Sequence, residues 1–127
     1  MLVDTDVLIW HLRGLPKATR RLDQLSSVTI SAITWVELLQ GFRNQTEMLA
    51  VQRSLYMRGA KRLPITPAIT DRAVALMETF ALSHGMRLGD AFIAATAIEH
   101  GLTVLTGNAR HFSPIEGLQF ERFEPNG

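Results

Sequence analysis

Three carboxylates and one amide stand out in this chain because their neighbours do not explain them. Asp4 directly follows the apolar residues Leu2 and Val3, so a charge closes what reads as a buried strand. Such a charge is costly unless a cation or a donor offsets it. Glu37 is the single charged residue between positions 28 and 42, set among Ile33, Trp35, Val36, Leu38 and Leu39. Asp90 precedes the uncharged stretch 91–98, and its neighbours one and two turns on, Ile93, Ala94 and Ala97, give it an apolar helical face. Asn108 closes the triplet Thr106-Gly107-Asn108, directly after another apolar run. Brought together, these acids would repel one another and raise at least one pKa unless a cation neutralised them. Oxygen donors without cysteine or paired histidine select Mg²⁺ or Mn²⁺ over zinc. A site of that kind suits phosphodiester hydrolysis, in which the ion polarises the phosphate and activates a water.

Each residue also has an ordinary explanation. Asp4 or Asp6 can N-cap a helix starting near position 7, and for Asp6 that is the expected role. The spacing from Thr34 to Glu37 matches a capping box, but Ser31 is the better-placed cap, which leaves Glu37 about 9 Å along the helix axis. A carboxylate in a first helical turn stabilises by only ~0.3–1 kcal/mol, which does not account for the apolar face around Asp90. Asn108 alone reads equally well as a turn residue. The histidines, at 11, 84, 100 and 111, show no ligand spacing and fit surface or helix-end positions, with His111, near the site, as the exception.

The elements that must position these residues alternate. Strands are expected at 2–4, 28–30, 62–65 and 103–105, with an edge strand within 118–123. Helices are expected at 7–12, 17–25, 32–42, about 46–59, 67–85 and 89–100, broken by Gly14-Leu15-Pro16 and stopped by Gly85 and Gly101. Thr66 and Pro67 form an N-cap and N1 pair. Strands alternating with helices imply right-handed crossovers and a mainly parallel sheet covered on both faces, a three-layer α/β sandwich. Ligand sites in such sheets lie outside the carboxyl ends of the strands. Asp4 and Asn108 follow strands directly, and a helix feeding the strand at 103–105 must start at that same edge, which brings Asp90 there too.

At 127 residues, 46% hydrophobic and 20% charged, the chain fits one globular domain, taken as 1–127. Zero cysteines exclude disulfides and thiolate metal sites. Asp4 and Asp6 interrupt the N-terminal apolar run before it reaches signal-peptide or membrane-span length, so a cytoplasmic protein with no membrane partner is expected. The net charge of +1 gives no support for a polyanionic partner. Local charge tells a different story: the acids converge, while Arg13, Lys17, Arg20, Arg21, Arg43, Arg87 and Arg110 lie on elements flanking the same edge.

The segments MLVDTDVLIW, SAITWVELLQG, LGDAFIAATAIEHG and VLTGNARHF resemble, in order and spacing, the four motifs of PIN-domain nucleases, in particular the short single-domain VapC-type toxins of VapBC toxin–antitoxin pairs. The resemblance covers nearly the whole chain. It implies a parallel five-stranded sheet with helices on both sides and a Mg²⁺-dependent endoribonuclease that forms homodimers and is silenced by a cognate antitoxin. By the same resemblance Asp4, Glu37 and Asp90 take the acidic metal-binding and catalytic positions and Thr5 the site hydroxyl. Asn108 stands where an aspartate is common, keeping an oxygen but losing a charge. Arg87 and Arg110 are candidate phosphate contacts for RNA. DTDVL also fits the D-x-D signature of haloacid-dehalogenase-like phosphatases, with Asp4 as nucleophile, but no late acidic pair follows. A non-catalytic metal-binding signalling or interaction module is the third reading.

Overall fold

The computed structural model describes residues 1–126. Five short parallel strands, β1 (Leu2–Val3), β2 (Thr29–Ser31), β3 (Lys61–Leu63), β4 (Val104–Thr106) and β5 (Phe120–Arg122), form one sheet in the order β3-β2-β1-β4-β5. β1 is central, with Leu2 opposite Val104 and Val3 opposite Leu105. Successive side chains on a strand point to opposite faces, so these two pairs start two separate cores. Leu2 and Val104 pack with α5 (Pro67–His84) and α6 (Leu88–His100), through residues such as Ile69, Ala73, Ile93 and Ala97. Val3 and Leu105 pack with α1 (Thr5–Leu12) and α2 (Pro16–Asp23), through Val7, Leu8, Ala18 and Leu22. The helix α3 (Ala32–Gly41) contributes Ile33 to the first core and Leu38 to the second. The three-layer α/β sandwich read from the sequence is the observed fold.

Local chemistry sets the element ends. Ser31 is both the last residue of β2 and the cap of α3, its hydroxyl accepting from Ile33 N at 3.1 Å. Thr66 caps α5 by accepting from Ile69 N at 3.2 Å, with Pro67 in the first turn. α5 and α6 stop at Gly85 and Gly101, both at φ 63°, in the left-handed region where a Cβ is penalised. Asn44 caps α4 (Gln45–Met57). His11, His84 and His100 all occupy last helical turns.

Two local expectations change. α1 begins at Thr5 rather than near position 7, because Asp4 itself is the cap and accepts from Thr5 N at 2.7 Å. After Thr106 the chain turns into a one-turn helix, α7 (Ala109–Phe112), where the sequence shows only the turn residue Asn108. Its Phe112 is fully buried, so a single core residue pins the turn. Among the described residues no helix is long and apolar enough to cross a membrane.

Candidate active site

Asp4, at the carboxyl end of the central strand, is 4% exposed and both its oxygens are engaged. Oδ1 accepts from Thr5 N, and Oδ2 accepts from Thr106 Oγ1 at 2.7 Å. Thr106 Oγ1 accepts in turn from Asn108 N at 2.9 Å. The last residues of β1 and β4 and the turn beyond β4 are thereby tied into one chain of hydrogen bonds. A second chain starts one residue on: Thr5 Oγ1 donates to Glu37 Oε1 at 2.8 Å and lies 3.2 Å from the hydroxyl of buried Thr34. Thr34 therefore serves the α1–α3 contact, not a capping box with Glu37.

Glu37 also leans on the start of α6. A Cβ placed on Gly89 would lie 2.7 Å from Glu37 Oε2, so the absent side chain is what lets this carboxylate reach the edge. Asp90, the next residue, brings Oδ2 to 2.9 Å from His111 Nδ1 on α7. The pair lacks hydrogen-bond geometry, and both atoms are buried with no hydrogen-bond partner. Asp6 Oδ1 is a third buried oxygen without one, while its Oδ2 accepts from Gly107 N at 3.0 Å.

Asp6 is the acid that sequence reasoning set aside. The cap role assigned to it belongs to Asp4, and Asp6 turns from the first turn of α1 toward the acids. The readable signal was the pair itself, since two carboxylates at one helix start are more than a cap needs. Burial pushes the Asp4 carboxyl up to about 8, and the nearby Asp6 charge, then Asp90, add to it against the hydrogen bonds from Thr106 and Thr5. Asp6 is raised as well, first by burial, with the Gly107 and Val7 amides opposing. This edge disfavours the negative charges it holds unless a cation offsets them.

Asp90, Asn108, His111, Arg87 and Arg110 line one cleft of about 690 Å³. Arg87, at the cap position of α6, and Arg110 on α7 are exposed at its rim. The Asn108 side chain is exposed in the cleft and does not cap α7. Asp4, Thr5 and Glu37 are joined by the hydrogen bonds above, and Asp90 is coupled to them by charge; Asn108, Arg87 and Arg110 stand around them. Among the described residues no three acidic or imidazole side chains close into a ready-made metal cage. Mg²⁺ keeps several waters and is held by one or two carboxylates plus substrate phosphates, so it does not require three converging side chains.

A parallel five-stranded α/β sandwich with acids gathered at the carboxyl edge of its central strands is the architecture of one nuclease class, and the chain belongs to the PIN-domain family, whose profile matches residues 1–117. Within it the chain is similar to VapC proteins. Ribonuclease VapC10 of Mycobacterium tuberculosis is 37% identical over 123 residues, covering 94% of this chain and 90% of its own length. Ribonuclease VapC19 of the same organism is 32% identical, covering 93% and 96%. A toxin–antitoxin complex from Klebsiella pneumoniae superposes with a TM-score of 0.77 at 30% identity, over 98% of this chain and 96% of that one. The family match favours the nuclease reading over the phosphatase one.

Proposed function

We propose that this chain is a Mg²⁺-dependent endoribonuclease that hydrolyses RNA phosphodiester bonds as the toxin of a type II toxin–antitoxin pair, in the cytoplasm and as a homodimer. The observation that carries the catalytic part is a buried carboxylate edge in which Asp6 Oδ1 has no hydrogen-bond partner and Asp90 Oδ2 meets only the His111 ring, at 2.9 Å, beside an Asp4 held at about 8. The likeness to two ribonucleases and to a toxin–antitoxin complex supports the substrate and the cognate antitoxin partner.

Asp4, Glu37 and Asp90 are the residues that would hold Mg²⁺, with Mn²⁺ an acceptable substitute, and Asp6 joins them through its unpartnered oxygen. When bound, the ion supplies Lewis-acid stabilisation of the charge developing on the phosphate and eases deprotonation of the attacking water. Thr5 holds the Glu37 carboxylate toward the edge by its hydrogen bond. Thr106 fixes the rotamer of Asp4. Asn108 offers an uncharged amide to the phosphate, and Arg87 and Arg110 take flanking phosphates of the strand.

The test is cleavage of single-stranded RNA with Mg²⁺, with EDTA and by Asp90→Asn. Cleavage is expected only by the unmodified protein with Mg²⁺; equal cleavage in all three arms rejects the metal site. Hydrolysis of a small phosphate ester with an aspartyl-phosphate trapped at Asp4, and RNA left intact, would instead establish the phosphatase. Gly89→Ala probes Glu37 separately. Alanine in a helix gains ~0.5–1 kcal/mol over glycine, and the atom it meets is the end of a flexible side chain, so the melting temperature should hold or rise. Displacing that carboxylate should lower cleavage about 10- to 100-fold. Unchanged cleavage would remove Glu37 from the machinery.

A further inference from the structure

One pair at this edge joins an acid to an imidazole. His111 Nδ1 and Asp90 Oδ2 lie 2.9 Å apart, yet no hydrogen bond links them, and both atoms are buried with no other partner. A protonated imidazole paired with this carboxylate would aim its N–H at the oxygen, because such bonds weaken steeply off line. The two atoms are instead close and misaligned. Two ligands of one metal ion stand in that relation. Donors each about 2.1 Å from an ion are about 3.0 Å apart at the right angle of an octahedron and about 3.4 Å apart at the tetrahedral angle. Their lone pairs meet at the ion, about 45° off the line joining the donors, so neither points at the other. The observed 2.9 Å fits the octahedral separation and falls short of the tetrahedral one.

The elements that carry the pair are held in place. Asp90 lies in the first turn of α6, and His111 lies on α7, which the fully buried Phe112 anchors. His111 N donates to Asn108 O at 2.9 Å, Asn108 N donates to Thr106 Oγ1, and Thr106 donates to Asp4. The imidazole is thereby tied to the carboxylate at the end of β1. The other imidazole lining this cleft, His84, is engaged elsewhere: its Nδ1 is 2.7 Å from Ser83 Oγ, and its ring packs edge-on against Phe80.

We infer that His111 Nδ1 is a ligand of the ion held at this edge, cis to Asp90 Oδ2, and that this nitrogen makes the site favour six-coordinate Mn²⁺ over Mg²⁺. The inference rests on the metal-dependent reading of the acids and adds to them a ligand of different chemistry. Imidazole suits first-row transition ions, whereas Mg²⁺ dehydrates reluctantly and keeps water where a nitrogen is offered. Zinc also takes imidazole, but its four-coordinate sites need the wider spacing. With the ring proton on Nε2, Nδ1 presents the lone pair that a ligand needs.

The test is binding, read without RNA. Mn²⁺ is titrated into the metal-free protein by electron paramagnetic resonance, Mg²⁺ by its competition with Mn²⁺, and the nitrogen ligand is read from the electron spin echo modulation of bound Mn²⁺. The parent is expected to hold Mn²⁺ about tenfold or more tighter than Mg²⁺ and to show the modulation of a coordinated imidazole. His111→Gln should abolish the modulation and weaken Mn²⁺ about 10- to 100-fold, while Mg²⁺ affinity changes about twofold at most. The His111 side chain is 21% exposed, so glutamine should leave the melting temperature near that of the parent. His84→Gln should change none of these readouts. Bound Mn²⁺ without nitrogen modulation in the parent would overturn the inference, leave the acids as the metal site, and make the His111 contact an ion pair only. Modulation that survives His111→Gln, or that is lost in His84→Gln, would overturn it as well. If the parent binds neither ion, the metal-dependent reading and this inference fall together.

Discussion

Asp4→Asn is expected to reduce RNA cleavage about a thousandfold while raising the melting temperature of the metal-free protein by roughly 3 °C or more. The loss follows because a cation-binding oxygen becomes a donor, in the wrong charge state for Mg²⁺. The gain follows from the cost of the native charge. Asp4 is buried beside Asp6 and Asp90, and its carboxyl moves from 3.8 to about 8. The folded chain therefore holds this proton more tightly than the unfolded chain does. The linked stability is complete below about pH 3.8, declines as the pH rises, and is gone near pH 8. Asp6 is raised too and acts in the same sense. In EDTA the parent protein should melt lower at pH 8 than at about pH 5, and Mg²⁺ should restore more stability at pH 8, where the carboxylates are ionised. Asparagine retains the oxygen that caps Thr5 and carries no charge, so its melting temperature should vary less with pH. Thr106 Oγ1 has a second lone pair with which to meet the new amide. A variant that melts no higher than the parent in EDTA at pH 8 would show that burial does not strain Asp4.

The fold was legible because strongly patterned segments determine it. Leu2-Val3 and Val104-Leu105 are apolar on both sides, which fits a buried parallel strand, and Ser31, Thr66-Pro67, Gly85 and Gly101 mark helix ends by chemistry that needs no tertiary context. The placement of Asp4, Glu37 and Asp90 was legible for the opposite reason: each breaks a pattern without a local cause. What the sequence hid depends on contacts distant in the chain. Asp6 looked like a cap because the amide it accepts from, Gly107, lies 101 positions away. Ser31 frees Thr34 from a capping box already in the sequence, but the partner Thr34 meets instead, the Thr5 hydroxyl, comes from another helix. His111 stands out in the sequence by its place near the site, but its stretch lacks helical periodicity, so the one-turn helix that buries Phe112 and sets the ring 2.9 Å from Asp90 is not legible there. Gly89 read as an ordinary helix residue; its role is to lack an atom where Glu37 needs room.

Gly107→Ala should be the most damaging small substitution at this edge, lowering both stability and activity, in contrast to Gly89→Ala. A Cβ on Gly107 would lie 2.5 Å from Trp10 Cη2 and 2.9 Å from Asp6 Oδ2. The indole has little room to withdraw. It packs on Phe123 with centroids 5.6 Å apart, Phe123 is itself 5% exposed, and Lys17 Nζ lies 5.7 Å from the centre of that ring. Forcing a methyl into such a stack costs ~1–3 kcal/mol, and the backbone must shift to relieve it. That shift pulls the Gly107 amide from Asp6, whose carboxyl it holds down against burial. Asp6 then rises further, so a carboxylate needed beside the other acids is more often protonated. The decisive measurement is a double-mutant cycle with Trp10→Phe, which trims the offending ring atoms. If the clash with Trp10 is the cause, the pair will be more stable than the sum of the single effects predicts, by an amount well above the ~0.3–0.5 kcal/mol scatter of independent sites. Additive losses would instead mean that the cost arises from the Asp6 hydrogen bond alone, which Trp10→Phe leaves in place.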